Sequence, residues 1–304
     1  MKKPMLQKMT AIFLFLCTAV ILLPLAVNAD MGPKPSVRVR FENMGDELCY
    51  ATLISQKPST GPQSVWDGNE EHIYNRNLDL DIWRAFVEYE DADGFYFLQC
   101  AWQVNENKEF GWIYYPPGTF KILLYYPETD TFAVSGICKR YAFDTYYTVD
   151  MNGTEIGSAD YNGELSNDDR LNAYRSYQWK QELVSLTVRI VLTILIEMAV
   201  ALLFGFLEKR ALLLLAGVNT LTQIVLNVIL NLINYTSGQL AFALAYIALE
   251  LAVFAMEAVL YALCMNRFVK KQRTKAFYIL YALIANAVSF GAGILIARIM
   301  PGIF

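Results

Sequence analysis

The sequence predicts a membrane protein in two parts: an extracytoplasmic β-sandwich-like domain with one short helix, followed by a four-helix transmembrane bundle. Three observations predict it. The 304 residues are 55% apolar and only 18% charged, an apolar share above that of ordinary globular chains. Four apolar segments, 185–207, 211–234, 239–264 and 276–299, lie at the C-terminal end, each near the ~20 residues that cross a bilayer as a helix. Charge is divided: residues 30–183 carry a net −12 and residues 184–304 a net +5. Positive mean hydropathy excludes a disordered or collagen-like chain. An acidic middle with a basic, apolar end does not fit nucleic-acid binding.

The N-terminus reads as a secretory signal over residues 1–29. Lys2, Lys3 and Lys8 precede the apolar run 11–26, and Val27-Asn28-Ala29 supplies small residues for cleavage after Ala29. An uncleaved signal anchor is the alternative, and Pro24 favours cleavage.

Residues 30–151 read as a β-rich exterior domain. In 36–41, Val37, Val39 and Phe41 alternate with charged residues. The run 120–126 follows the breaker Pro116-Pro117-Gly118, and 131–135 follows the turn Pro127-Glu128-Thr129-Asp130. Residues 141–151 alternate again, and 49–54 and 95–100 are shorter strands. Short strands separated by turns predict an antiparallel sandwich. Ile82, Phe86 and Tyr89 fall at i, i+4, i+7, which predicts one short helix.

Residues 152–184 read as a polar hinge and juxtamembrane helix. Ser166 and Asp169 suggest a cap, and Tyr174, Tyr177 and Trp179 suit a membrane interface. Residues 185–304 form the transmembrane domain. The loops at 208–210 and 266–275 are basic, so the positive-inside rule puts both in the cytoplasm and 30–183 outside. The protein is expected in the cytoplasmic membrane, crossing it several times.

Candidate chemistry outside the membrane is sparse. Cys49, Cys100 and Cys138 allow at most one disulfide, or three buried thiols. Asp91-Ala92-Asp93-Gly94 looks faintly like a calcium loop, but turn chemistry explains it better. Asp79 and Asp81 suit a helix start. His72, the single histidine, sits beside Glu70 and Glu71 and reads as a solvated group. Trp66, Trp102, Trp112, Tyr114 and Tyr115 could build a sugar- or peptide-binding platform, though aromatic rings more often pack in cores.

The membrane segments say more. Asn219, Gln223, Asn227 and Asn231 recur every four residues, so their amides share one helix stripe that lipid would not tolerate. Glu250 and Glu257 are seven apart on one face, with Tyr246 and Tyr261 nearby. Ala241, Ala245, Ala248, Ala252, Ala255 and Ala262 form a small-residue seam. Glu197 lies mid-segment. Ala285, Ser289, Gly293 and Ala297 form another seam, with Asn286 beside it. A charged carboxylate in mid-bilayer costs roughly 2.5–3.5 kcal/mol on insertion scales. The carboxyls either fix helix register, at about 0.6 kcal/mol per hydrogen bond, or converge on a proton, cation or polar substrate. The candidate polar site is therefore Glu197, Asn219, Gln223, Asn227, Asn231, Glu250 and Glu257. No catalytic residue, metal site or cofactor is expected. The membrane segments hold no His and no Asp, which excludes zinc proteases, Ser-His dyads and aspartyl pairs. No glycine-rich phosphate loop occurs.

Segments 114–135 (YYPPGTFKILLYYPETDTFAVS), 140–151 (RYAFDTYYTVDM), 250–263 (ELAVFAMEAVLYAL) and 29–36 (ADMGPKPS) resemble an uncharacterised family of exported membrane proteins of Gram-positive-type bacteria. The resemblance implies a signal peptide, a β-rich exterior domain and four C-terminal transmembrane helices. It implies no activity, cofactor or catalytic residue.

Function follows as an expectation with three forms. The first is a non-enzymatic envelope protein whose exterior domain binds a ligand or partner. The second is a small transporter or permease subunit using the intramembrane carboxylates. The third is an intramembrane hydrolase. The expected partners are the lipid bilayer, an extracytoplasmic ligand, and a membrane subunit or second copy of the chain, with no nucleic acid.

Overall fold

The computed structural model describes residues 33–57, 59–60, 63–69, 78–104, 106–154 and 170–299. The expected signal segment, His72 with Glu70 and Glu71, and the cap at Ser166 and Asp169 lie outside the described residues. The chain divides into two compact units, 34–177 and a helical unit from residue 178 onward.

The first unit is β-rich. Its strands are β1 (Ser36–Glu42), β2 (Tyr50–Ser55), β3 (Ser59–Thr60), β4 (Gln63–Ser64), β5 (Tyr96–Phe97), β6 (Trp102–Gln103), β7 (Glu109–Trp112), β8 (Thr119–Tyr126), β9 (Thr131–Ser135), β10 (Cys138–Lys139), β11 (Asp144–Asp150) and β12 (Arg170–Arg175). Strands β3 and β4 make a small hairpin. The rest form one sheet in the order β5-β2-β8-β9-β12-β11-β1-β7, with β6 on β2 and β10 on β8.

This corrects the expected antiparallel sandwich. The sheet is single, curled and mixed. Strand β1 runs parallel to β11 in the register Val37↔Thr145, Val39↔Tyr147, Phe41↔Val149. Strand β12 runs parallel to β9. Parallel pairing needs a long crossover, and both pairs join distant parts of the chain, so short-turn signals could not reveal them. Curling brings Val37, Val39 and Phe41 of β1 into one core with Phe120, Ile122 and Leu124 of β8. The other face of β8, with Leu123 and Tyr125, packs under α1 (Leu80–Glu88) through Ile82, Trp83 and Phe86. Asp79 caps α1 by accepting from the Asp81 N–H, as its position suggests.

A second correction concerns residues 170–175. The sequence reading puts them in a juxtamembrane helix, but they form β12, and α2 (Trp179–Leu203) begins only at Trp179. Alternation prevails: Leu171 and Ala173 pack into the sheet core, and β12 fills the gap between β9 and β11.

Cys49, Cys100 and Cys138 are buried thiols rather than disulfide partners, all within the same core. Burial pushes the Cys49 thiol up to about 12 and raises that of Cys138.

The helical unit contains α2, α3 (Lys209–Cys264) and α4 (Lys275–Ile299). Among the described residues three helices, not four, are long and apolar enough to cross a membrane. The expected second and third segments are two helical arms of α3 with no loop of several residues between them: Tyr235-Thr236-Ser237 stays helical up to a break at Gly238, and the Thr236 hydroxyl donates to the Leu232 carbonyl at 2.9 Å. Only Gly238 departs, at φ 82°, ψ 178°, a region open almost solely to glycine. The chain folds back there: Leu226, Leu230 and Ile233 of the first arm pack on Ala241, Ala245, Leu249 and Val253 of the second. Gly238→Ala should therefore cost about 1–3 kcal/mol, measured as a lower melting midpoint of the full chain in detergent; an unchanged midpoint would mean the reversal tolerates a side chain.

The two basic loops are tied together. Glu208 accepts from the Lys270 N–H at 2.9 Å, which holds its carboxyl below the usual carboxylate range.

Candidate functional site

The membrane-type helices bring two of the three expected carboxyls into one network. Glu197 of α2 and Glu257 of α3 are each 1% exposed. Helix α4 links them. Asn286 donates from Nδ2 to Glu257 Oε2 at 2.8 Å. One turn on, the Ser289 hydroxyl lies 3.3 Å from Glu197 Oε1. The seam expected along α4 is thus partly polar: Ala285 and Ser289 are buried in it. The Tyr281 hydroxyl donates to the Glu197 backbone carbonyl at 3.3 Å.

The first arm of α3 completes the network. The Thr222 hydroxyl lies 2.8 Å from Glu257 Oε1 and 3.1 Å from the Asn219 carbonyl. Having one proton, it can donate to Glu257, or donate to the backbone and accept from a protonated Glu257. Ser289 has the same choice, because it also lies 3.1 Å from the Asn286 carbonyl. Each carboxyl therefore faces a hydroxyl that suits it charged or neutral. The Tyr261 hydroxyl donates to Asn219 Oδ1 at 2.9 Å. Among the described residues neither Glu197 nor Glu257 has a Lys or Arg partner. Among the described residues three buried polar atoms of this region have no hydrogen-bond partner: Glu197 Oε2, Asn286 Oδ1 and Asn219 Nδ2.

The remaining expected site residues lie elsewhere. Gln223 and Asn227 are buried but bond each other, Asn227 Nδ2 donating to Gln223 Oε1 at 3.3 Å and to its carbonyl at 2.8 Å. Asn231 is half-buried farther along the stripe. Glu250 is half-buried, with the Tyr246 hydroxyl beside it. Sequence reasoning missed Thr222 and Tyr281, and read Ser289 only as a packing residue. Thr222 lies three residues after Asn219 and next to Gln223, so the amide stripe itself could have flagged it.

Between the two arms of α3 lies a cleft of about 220 Å³, lined by Val218, Leu221, Val225, Leu249, Val253 and Met256, with Thr222 as its polar member.

In the β unit, the expected calcium-like turn has a different cation. Lys121 Nζ reaches Asp91 Oδ1 at 2.7 Å and Asp93 Oδ2 at 2.7 Å. Asp91 Oδ2 also accepts from the N–H groups of Asp93 and Phe95. The lysine ammonium occupies the place a metal would need. The expected aromatic platform does not assemble. Trp112 is 1% exposed and stacks edgewise on Trp102 at 5.2 Å, whereas Trp66 packs on Trp83 at 5.1 Å. Only Tyr114 and Tyr115 are exposed, with Ile113.

No family model, curated protein or solved structure matches this chain.

Proposed function

We propose that the protein is a small ion-linked membrane transport unit with an exterior β domain, working through the Glu197–Glu257 pair. One observation carries the reading. Two buried carboxyls from different helices meet on a third helix, with no basic partner among the described residues and with hydroxyls that suit either protonation state. A register device needs one such contact, and unpaired intramembrane carboxyls usually mark an ion or proton pathway. The convergence of Glu197 and Glu257 favours transport over separate packing roles. Glu250, apart from the pair, is a flanking group in this scheme.

The topology belongs to the same proposal. The signal directs residues 30–177 outside. Helices α2 and α4 and both arms of α3 each cross the bilayer, making four crossings, with the loops at 208–210 and 266–275 in the cytoplasm. The reversal at Gly238 supports two crossings for α3, since a straight helix of this length would reach roughly 84 Å.

The test is flux. The full chain in liposomes containing a pH dye, driven by an imposed potential, should move protons or alkali cations above the rate of protein-free vesicles. Glu197→Gln and Glu257→Gln should bring it to background. Wild-type protein that leaks no faster than empty vesicles would overturn the reading.

A second reading, ligand binding by the exterior domain, has one observation in its favour. Ile113, Tyr114 and Tyr115 are exposed in sequence, the indole N–H of Trp112 holds the Tyr114 carbonyl at 2.9 Å, and Tyr115 adopts φ 47°. A bulky residue in that region stores strain, and strain gathers at functional loops.

A further inference from the structure

We propose that the Glu197 corner of this network is a binding site for one small alkali cation, with sodium as its probe. The inference rests on the ion-linked reading of the carboxyl pair and names the ion. The argument is a count of donors and acceptors. Asn286 Nδ2 spends its two protons on Glu257 Oε2 and the Ala282 carbonyl, at 2.8 and 3.0 Å. Ser289 has one proton for two oxygens, the Asn286 carbonyl at 3.1 Å and Glu197 Oε1 at 3.3 Å, and the nearer is the carbonyl. Tyr281 spends its proton on the Glu197 backbone. Glu197 Oε2 and Asn286 Oδ1 then have no hydrogen-bond partner among the described residues, although Glu197 is 1% and Asn286 6% exposed. Native proteins rarely leave buried acceptors unmatched, because each forfeits its water without a replacement.

The corner is therefore rich in oxygen and short of protons. It offers carboxylate, amide and hydroxyl oxygens, the ligand types of hard cations. Charge selects a monovalent ion. With Thr222 donating to the Asn219 carbonyl, its hydroxyl oxygen can accept from a protonated, neutral Glu257; Glu197 alone then brings negative charge. One positive charge balances it in a medium where a net charge is costly. Ser289 and Asn286, one turn apart on α4, supply the neutral oxygens that would replace part of the ion's water shell.

The experiment is thermal unfolding of the full chain in detergent, in sodium, lithium, potassium or choline chloride at equal ionic strength, together with binding of radioactive sodium to the purified protein. The expected result is a saturating rise of the melting midpoint with sodium over choline, as binding to the folded state requires, and near one sodium bound per chain. Glu197→Gln and Asn286→Ala should lose both effects, and Asn231→Ala, outside the network, should keep both. If Glu197→Gln does not fold, Ser289→Ala takes its place; it keeps both carboxyls and should need several-fold more sodium. A midpoint that follows pH in choline but ignores sodium would overturn the cation and leave a proton site, with the ion-linked reading intact. A midpoint that answers to neither, in wild type, would overturn both.

Discussion

Lys121→Met is expected to destabilise the β unit by about 3–5 kcal/mol, the loss that follows when one partner of a buried ion pair is removed. The Lys121 side chain is 5% exposed and that of Asp91 0%. Lys121 sits on β8, the strand buried on both faces, and its ammonium also lies 4.9 Å from the Phe95 ring centre. Methionine keeps the stem packed and removes only the charge, so Asp91 would keep its two backbone N–H partners but lose its counter-charge. Asp91→Asn should cost less, because the Asp93 carboxylate still meets the ammonium at 2.7 Å. Combining Lys121→Met with Asp91→Leu should cost less than the two losses added, since no fully buried carboxylate is then left without its counter-charge, the Asp93 side chain being 48% exposed. Tryptophan fluorescence of the full chain reports this unfolding, because Trp66, Trp83, Trp102 and Trp112 lie in the β unit and Trp179 alone lies outside it. A Lys121→Met midpoint within about 1 kcal/mol of wild type would mean that the pair does not hold the turn.

Local pattern made much of the β unit legible. Alternation puts Val37, Val39 and Phe41, and Tyr141, Phe143, Thr145, Tyr147 and Val149, each on one side of a strand; all are buried except Tyr141 and Phe143, which precede β11 and are half-buried. The helix spacing of Ile82 and Phe86 was equally direct. The sheet order was not legible, because β1–β11 and β9–β12 join segments whose pairing leaves no local trace. Strand β12 was misread because Tyr174 and Trp179 look alike to an argument from interface aromatics, whereas the alternation of Leu171 and Ala173 was the better guide. In α3, uncharged polar residues after an apolar run suggested a loop. They continue the helix instead, since nothing at Tyr235-Thr236-Ser237 breaks it and a single glycine turns the chain.

The site was legible one helix at a time. Four-residue spacing puts Asn219, Gln223, Asn227 and Asn231 on one inward stripe; the first three are buried and Asn231 is half-buried. Glu197 and Glu257 stood out as carboxyls among apolar residues. Their meeting could not be read, because it depends on how α2, α3 and α4 register against one another. Nor could the half-buried position of Glu250, which shares a face with Glu257 by spacing but sits two turns away with the Tyr246 hydroxyl beside it. Ser289 illustrates the ambiguity of small residues: the property that suits a packing seam also lets a hydroxyl reach a neighbour's carboxylate.

Alkaline pH should weaken the β unit through its buried thiols, with Cys49 contributing most clearly. The sign follows from proton binding. Burial, the largest cause, lifts the Cys49 thiol from 9.0 to about 12 in the folded chain. Between those values the unfolded chain has released a proton that the folded chain still holds. Stability then falls as pH rises, at about 1.4 kcal/mol per pH unit. The contribution is complete below pH 9.0 and lost progressively on the way to about 12, some 4 kcal/mol in all. Cys138, raised in the same direction by burial, adds to the slope. Cys49→Ala removes one titrating group. It should lower stability at neutral pH by the loss of packing at a 2% exposed position, yet flatten the alkaline decline. The two unfolding curves should converge as pH rises from 8 to 11. Curves that stay parallel would show that the Cys49 thiol is not protected in the folded state. The same burial bears on chemistry. A thiolate is the reactive form of cysteine, and a fold that keeps Cys49 and Cys138 protonated, enclosed by Phe120, Leu124 and Tyr126 in one core, withholds them from nucleophilic and redox work.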